Sequence, residues 1–311
     1  MEGDPRQDAM ADMADAKDGE GGSVGASPGA GLEPEPLFVT AESHDLGCHE
    51  LQVLVPGGEG WLETLAAEYR RLRTTSRVPA QALSFEGVEM LDVTGVEALL
   101  AGACVPQYRR GNFGVSRSDL AEVILGLVQA ERYSCRYGYR SVRDRELKHL
   151  PGRGVDQIGI EGRTDGEAPG LTLVLGEAKV STDRNCPPRV VDDADDGLRN
   201  QHLGHLADKP VTADKVIEAS RNADDPEVQA ALRIAALLLR SEDERLRIVA
   251  SSAMVRPEGF STPEDFGSFH SHAEDFEPAD IRFLLVRLPG DIDELVEVFT
   301  SLALSGPEAA A

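Results

Sequence analysis

One ten-residue run, Leu171–Val180, constrains this chain more than any other segment. Side chains alternate between the two faces of a strand. Leu171, Leu173 and Leu175 fall on one face, Thr172, Val174 and Ala178 on the other. A strand that is apolar on both faces belongs in the middle of a sheet covered by helices on each side. On the first face the apolar row changes to Glu177 and then Lys179. Buried charges of this kind are costly unless they are paired or bind a metal. Chemistry is therefore expected where the row changes character.

A second strand-like run, Gly154–Ile160, precedes it and places Asp156, Ile158 and Ile160 on one face. Gly162, Asp165, Gly166, Pro169 and Gly170 lie between the two runs, so they read as a hairpin with a long loop. In an antiparallel pairing Asp156 falls opposite roughly residues 175–177. Two carboxylates and a lysine would then meet at one end of a sheet. Two hard oxygen ligands suit Mg²⁺, or Mn²⁺ in its place, with water and phosphate oxygens completing the octahedron. A lysine beside them can orient or help deprotonate a water and stabilise charge developing on phosphorus.

Gly154-Val155-Asp156 followed by Gly176-Glu177-Ala178-Lys179 resembles the PD-(D/E)xK restriction-endonuclease-like nuclease superfamily. Val155 stands where the name-giving proline would be. The resemblance implies an α/β fold with a mixed central sheet flanked by helices. It also implies that Asp156 and Glu177 bind catalytic metal and that Lys179 activates water. A glutamate on a preceding helix often adds a ligand, and Glu122 is the matching residue. On a helical wheel, however, Glu122 points away from the Leu120–Ile124–Leu127 stripe while Glu131 lies on it, so Glu131 stays open as the alternative. The order of helix, hairpin and helical tail is most similar to HamA, the nuclease component of Hachiman antiphage systems, over about residues 115–255. That likeness implies DNA as substrate, a helicase partner and a role in bacterial defence. A general restriction or repair endonuclease, a hydrolase of another phosphate ester, and a non-catalytic interaction protein with this fold remain alternatives.

The rest of the chain divides by composition. Residues 1–35 are rich in Gly, Ala, Asp, Glu and Pro, and are expected to be a disordered acidic tail. Residues 36–110, with a strand at Leu51–Val55 and a helix at Trp61–Leu72, read as an accessory α+β region. Residues 111–305 read as the nuclease domain, and 306–311 as a flexible end. Within that domain a helix is expected over 116–133, capped by Ser116. Further helices are expected at about 191–207, 212–222 and 226–241, strands at Leu246–Met254 and Ile281–Leu288, and a last helix at Ile292–Leu304.

The formal net charge of −24 opposes simple nucleic-acid binding. Its distribution is uneven: residues 105–155 carry ten Arg/Lys against five acids, and this basic segment runs up to Asp156. Arg140, Arg143 and Arg153 are the candidate phosphate contacts; an amphipathic edge strand is the equal alternative for Arg132–Arg145. His202 and His205, and likewise His270 and His272, read as polar surface residues. Asp192, Asp193, Asp195 and Asp196 read as a solvated face or helix start, because they lack EF-hand spacing. Four scattered cysteines give no zinc or disulfide pattern. No Walker A motif, dinucleotide loop or nucleophile elbow occurs, so no nucleotide cofactor is expected. No membrane span or signal peptide is evident, and the expected compartment is the cytoplasm.

Overall fold

The computed structural model describes residues 35–45, 49–74, 101–106, 113–145, 154–162 and 170–305. The expected acidic tail, the flexible C-terminus and Arg153 lie outside them. The run Leu171–Val180 forms β5 and is interior to a seven-stranded mixed sheet, as its two apolar faces require. The sheet begins with β1 (Phe38–Asp45) and β2 (Glu50–Pro56). It continues through β7 (Asp280–Leu288), β6 (Leu246–Pro257), β5, β4 (Gln157–Glu161) and β3 (Arg136–Arg140). β2, β7, β6 and β5 run parallel, while β1, β4 and β3 are attached antiparallel. β3 is thus an edge strand.

Helices cover both faces. On one side lie α1 (Trp61–Thr74), α2 (Phe113–Tyr133) and α9 (Ile292–Ser305). Their Leu65, Tyr69, Leu120, Ile124, Val296 and Phe299 pack with Ala178, Ala253, Val255 and Leu284. On the other side α6 (Lys209–Asn222) and α7 (Pro226–Ser241) bury Val216, Ala219, Leu232 and Ala235 against Ile158, Ile160, Leu173 and Leu175. There too α5 (Leu198–Ala207) and α8 (Gly267–Ser271) bury Leu198 and Phe269 against Ala250, Met254 and Phe283. Two short helices, α3 (Ser141–Asp144) and α4 (Arg189–Asp192), complete the set used below.

Three expectations change. The boundary near residue 110 does not divide the structure. β1 and β2 extend the same sheet, α1 packs on α2 and α9, and residues from Pro36 onward form one unit. Local composition could not show this, because β2 finds its partner β7 more than 200 residues away. The helix expected from Ser116 begins at Phe113, so Ser116 is a buried residue of its first turn. The helix expected over 191–207 is split into α4 and α5 by a turn at Gly197. A Cβ there would lie 2.4 Å from the Asp193 carbonyl oxygen.

Candidate active site

The β4–β5 ladder ends with Gln157 opposite Gly176, so the next residue, Asp156, sits beside Glu177. β5 continues beyond its partner, which leaves the Ala178 N–H without a strand to pair with. The Asp156 carboxylate takes that role: Oδ2 accepts from Ala178 N at 2.9 Å. The Asp156 carbonyl accepts from Ser141 N at 2.8 Å, which ties α3 to the same point. Gly154 enters this segment at φ +89°, and a Cβ there would stand 3.3 Å from Lys215 Nζ.

Glu177 continues the face of Leu173 and Leu175 and is fully buried. Its Oε1 lies 2.8 Å from His205 Nε2 of α5 and its carboxyl meets that of Asp156, while Oε2 receives no N–H or hydroxyl hydrogen bond among the described residues. Burial pushes the Glu177 carboxyl up to about 8. Asp156 is also raised well above the usual carboxylate range, by burial and then by the charge of Glu177. Lys179, one step further along the same face, donates from Nζ to Asp196 Oδ2 at 2.9 Å. Asp196 is held in a turn in which Asp193 Oδ1 accepts from the backbone N–H groups of Asp195 and Asp196.

Glu122 is buried too, 2% exposed, because α2 is enclosed by the sheet, α1 and α9. Although Glu122 lies off the Leu120–Ile124–Leu127 stripe, the first half of this helix is apolar nearly all round, and a helix covered on so many sides has no solvent face at that turn. Ser118 Oγ donates to its Oε1 at 3.0 Å, and Oε2 is unpartnered among the described residues. Burial, and then repulsion from Asp156, holds its carboxyl well above the usual range. Glu131 is exposed near the far end of α2, where its Oε2 accepts from Leu37 N at 3.3 Å.

These residues can be tested for their fit to a hard divalent cation. Asp156 and Glu177 are neighbouring carboxylates whose charges repel, and one buried oxygen of Glu177 is unused. Mg²⁺ is commonly held by one or two carboxylates, with water and substrate oxygens supplying the rest. The pair fits that description. Glu122 stands near enough for its charge and those of Asp156 and Glu177 to repel, but among the described residues no group of three or more His, Cys, Asp or Glu side chains forms a metal-holding set. The reason lies in the layering. α2 covers the sheet face of Gly176 and Ala178, whereas Glu177 projects from the opposite face.

The structure corrects two further expectations. Arg140 and Arg143 do not present free guanidinium groups to a phosphate. Arg140 Nη1 bonds Glu68 Oε1 at 2.9 Å inside the fold, and Arg143 bonds Asp144 and the carbonyls of Gly138 and Asn222. His202 and His205 are not surface residues but buried ones. Burial, followed by the charge of Lys215, pushes His205 down to about 4; burial and then His205 push His202 down to about 3. One signal in the sequence pointed to this. Leu198, His202 and His205 recur at spacings of four and three, which places both histidines on the apolar stripe of α5. His270 and His272, by contrast, make only local bonds around Ser268 and Gly267.

No family model matches the chain, and no curated protein matches it. Among the described residues no helix is long and apolar enough to cross a membrane.

Proposed function

We propose that the chain is a metal-dependent nuclease of restriction-endonuclease-like type that hydrolyses DNA phosphodiester bonds. The observation that carries this reading is the Asp156–Glu177 pair: two carboxylates side by side on adjacent strands, with Glu177 buried and one of its oxygens unused. Such a pair is poorly stabilised by the protein alone and suited to a cation. Asp156 and Glu177 would hold Mg²⁺ or Mn²⁺, which when bound supplies Lewis acidity and an acidified water. Lys179 lies beside Glu177 on the same face and would orient that water or stabilise charge on the phosphate oxygens. To do so it must leave Asp196, whose carboxylate is 72% exposed. Exposed ion pairs are worth only ~0–1 kcal/mol, so substrate phosphate can displace this one.

The acidic balance of the chain makes autonomous tight binding to DNA unfavourable. A partner that delivers the substrate would relieve this, and a helicase in a cytoplasmic bacterial antiphage system is the partner proposed. The decisive assay incubates DNA with Mg²⁺ or Mn²⁺ and wild-type protein, Glu177→Ala or Lys179→Ala. Cleavage by the wild type alone is expected; equal cleavage by all three would sink the reading.

A second reading is favoured by the Lys179–Asp196 contact and by the lack of a third ligand among the described residues. In it the fold serves as a non-catalytic interaction module. Mn²⁺ affinity separates the two: the nuclease reading requires binding that Asp156→Asn and Glu177→Gln abolish, and the module reading requires none.

A further inference from the structure

We infer that His205 is the positioning residue for Glu177: its imidazole fixes one carboxylate oxygen so that the other is presented to the cation. This role rests on the nuclease reading. β5 is paired on both sides, to β4 as far as Gly176 and to β6 through Glu177 and beyond, so the Glu177 backbone is rigid. What remains free is the rotation of its side chain. The contact of His205 Nε2 with Oε1 at 2.8 Å removes that freedom and leaves Oε2 as the unsatisfied oxygen.

The imidazole is itself anchored. His205 lies in the last turn of α5, and its carbonyl accepts from Thr212 Oγ1 of α6 at 2.6 Å. One turn earlier His202 packs against Phe269, with ring centroids 5.8 Å apart, which holds the same helix face in the aromatic cluster beneath it. A nitrogen that faces Glu177 Oε1 at hydrogen-bond distance is not also free to ligate a metal. The geometry therefore assigns His205 to orientation. Residues in such outer positions fix the angle at which a ligand meets its ion and commonly govern affinity.

The test uses the full chain and Mn²⁺ alone, with affinity measured by calorimetry and folding by thermal melting. His205→Leu removes the imidazole contact and keeps an apolar filler. His205→Asn keeps polarity but is too short to reach Oε1. His205→Gln places an amide N–H near the position of Nε2. The Leu and Asn variants are expected to weaken Mn²⁺ binding about 10–100-fold, and the Gln variant roughly threefold or less. In the cleavage assay, the Mn²⁺ concentration for half-maximal rate should rise in Leu and Asn while the rate at saturating Mn²⁺ changes far less. Wild-type affinity in a folded Leu or Asn variant overturns the role, as does a Gln variant as weak as these. Should Leu fail to fold, the comparison of Asn with Gln decides. A wild-type protein that binds no Mn²⁺ refutes the nuclease reading itself and this role with it. Wild-type binding with unaffected variants refutes the role alone.

Discussion

Two buried carboxylates on the same helix, Asp119 and Glu122, occupy contrasting surroundings. Asp119 is fully buried and fully engaged: Arg145 donates to both its oxygens, and Tyr69 Oη donates to Oδ2 at 2.5 Å. Three residues on, Glu122 receives one hydroxyl bond and keeps an unpartnered oxygen among the described residues. Across the sheet Glu177 meets His205 and the Asp156 carboxyl, and its Oε2 likewise receives no N–H or hydroxyl hydrogen bond among the described residues. A buried acid with a matched guanidinium is a structural device, stable as a unit and sensitive to loss of either member. A buried acid left with spare acceptor capacity is a site that its own protein does not satisfy. Such groups cluster where function demands them.

This contrast can be broken in several ways. The largest effect is expected on cleavage: Asp156→Asn and Glu177→Gln should each lower the rate by ~1,000-fold or more at fixed Mg²⁺, because each removes an anionic ligand while preserving shape. Gel assays on DNA read this, and residual activity within tenfold of wild type would end the metal-ligand assignment.

Next in size is a stability effect at the satisfied acid. Asp119→Ala leaves Arg145 buried without its partner and should cost ~3–5 kcal/mol in urea unfolding. A loss below ~1 kcal/mol would mean that the Asp119 cluster is not the structural device described.

The unsatisfied acid should behave with the opposite sign. Glu177 is held at about 8 in the folded protein against an ordinary 4.5. Between those values the unfolded chain has released a proton that the folded chain retains, so this group lowers metal-free stability as pH rises. The opposing gain from His202 and His205, held below their ordinary 6.5, ends at that value, and the fall is expected from about 6.5 to about 8. Glu177→Gln should flatten that part of the melting-temperature profile and make the metal-free protein more stable than wild type at pH 8. Saturating Mn²⁺ should restore the wild type's stability there. A wild-type profile that rises over the window would contradict the assignment.

Glu122→Gln sharpens the comparison further. Its neutral amide should leave stability within ~1 kcal/mol or raise it, and should leave Mn²⁺ affinity within roughly threefold, since Glu122 is outside the pair that holds the ion. A large loss of affinity would bring Glu122 back as a ligand. The smallest effect belongs to Glu131, exposed on the same helix: Glu131→Ala should stay within ~0.5 kcal/mol of wild type and cleave normally.

The amino-acid sequence by itself determined the central strand and the point where its apolar row gives way to charge. The two apolar faces of Leu171–Val180 required cover on both sides, and the change from Leu175 to Glu177 and Lys179 marked the sheet end. The hairpin placed Asp156 within one or two residues of its observed neighbour. These are local properties, set by the two-residue period of a strand and the length of its turn. What only the tertiary structure decided involves segments far apart in the chain. β2 pairs with β7 and so abolishes the separate N-terminal region. α1 and α9 enclose α2 and so decide that Glu122, off the main apolar stripe of its helix, is buried. α5 lays its apolar stripe on β5 and brings His205 to Glu177, although 28 positions separate them. Arg140 and Arg143, basic in sequence, are engaged by Glu68, Asp144 and backbone carbonyls. Charge in a sequence is a count of groups, whereas charge at a site depends on which groups packing brings within reach of one another.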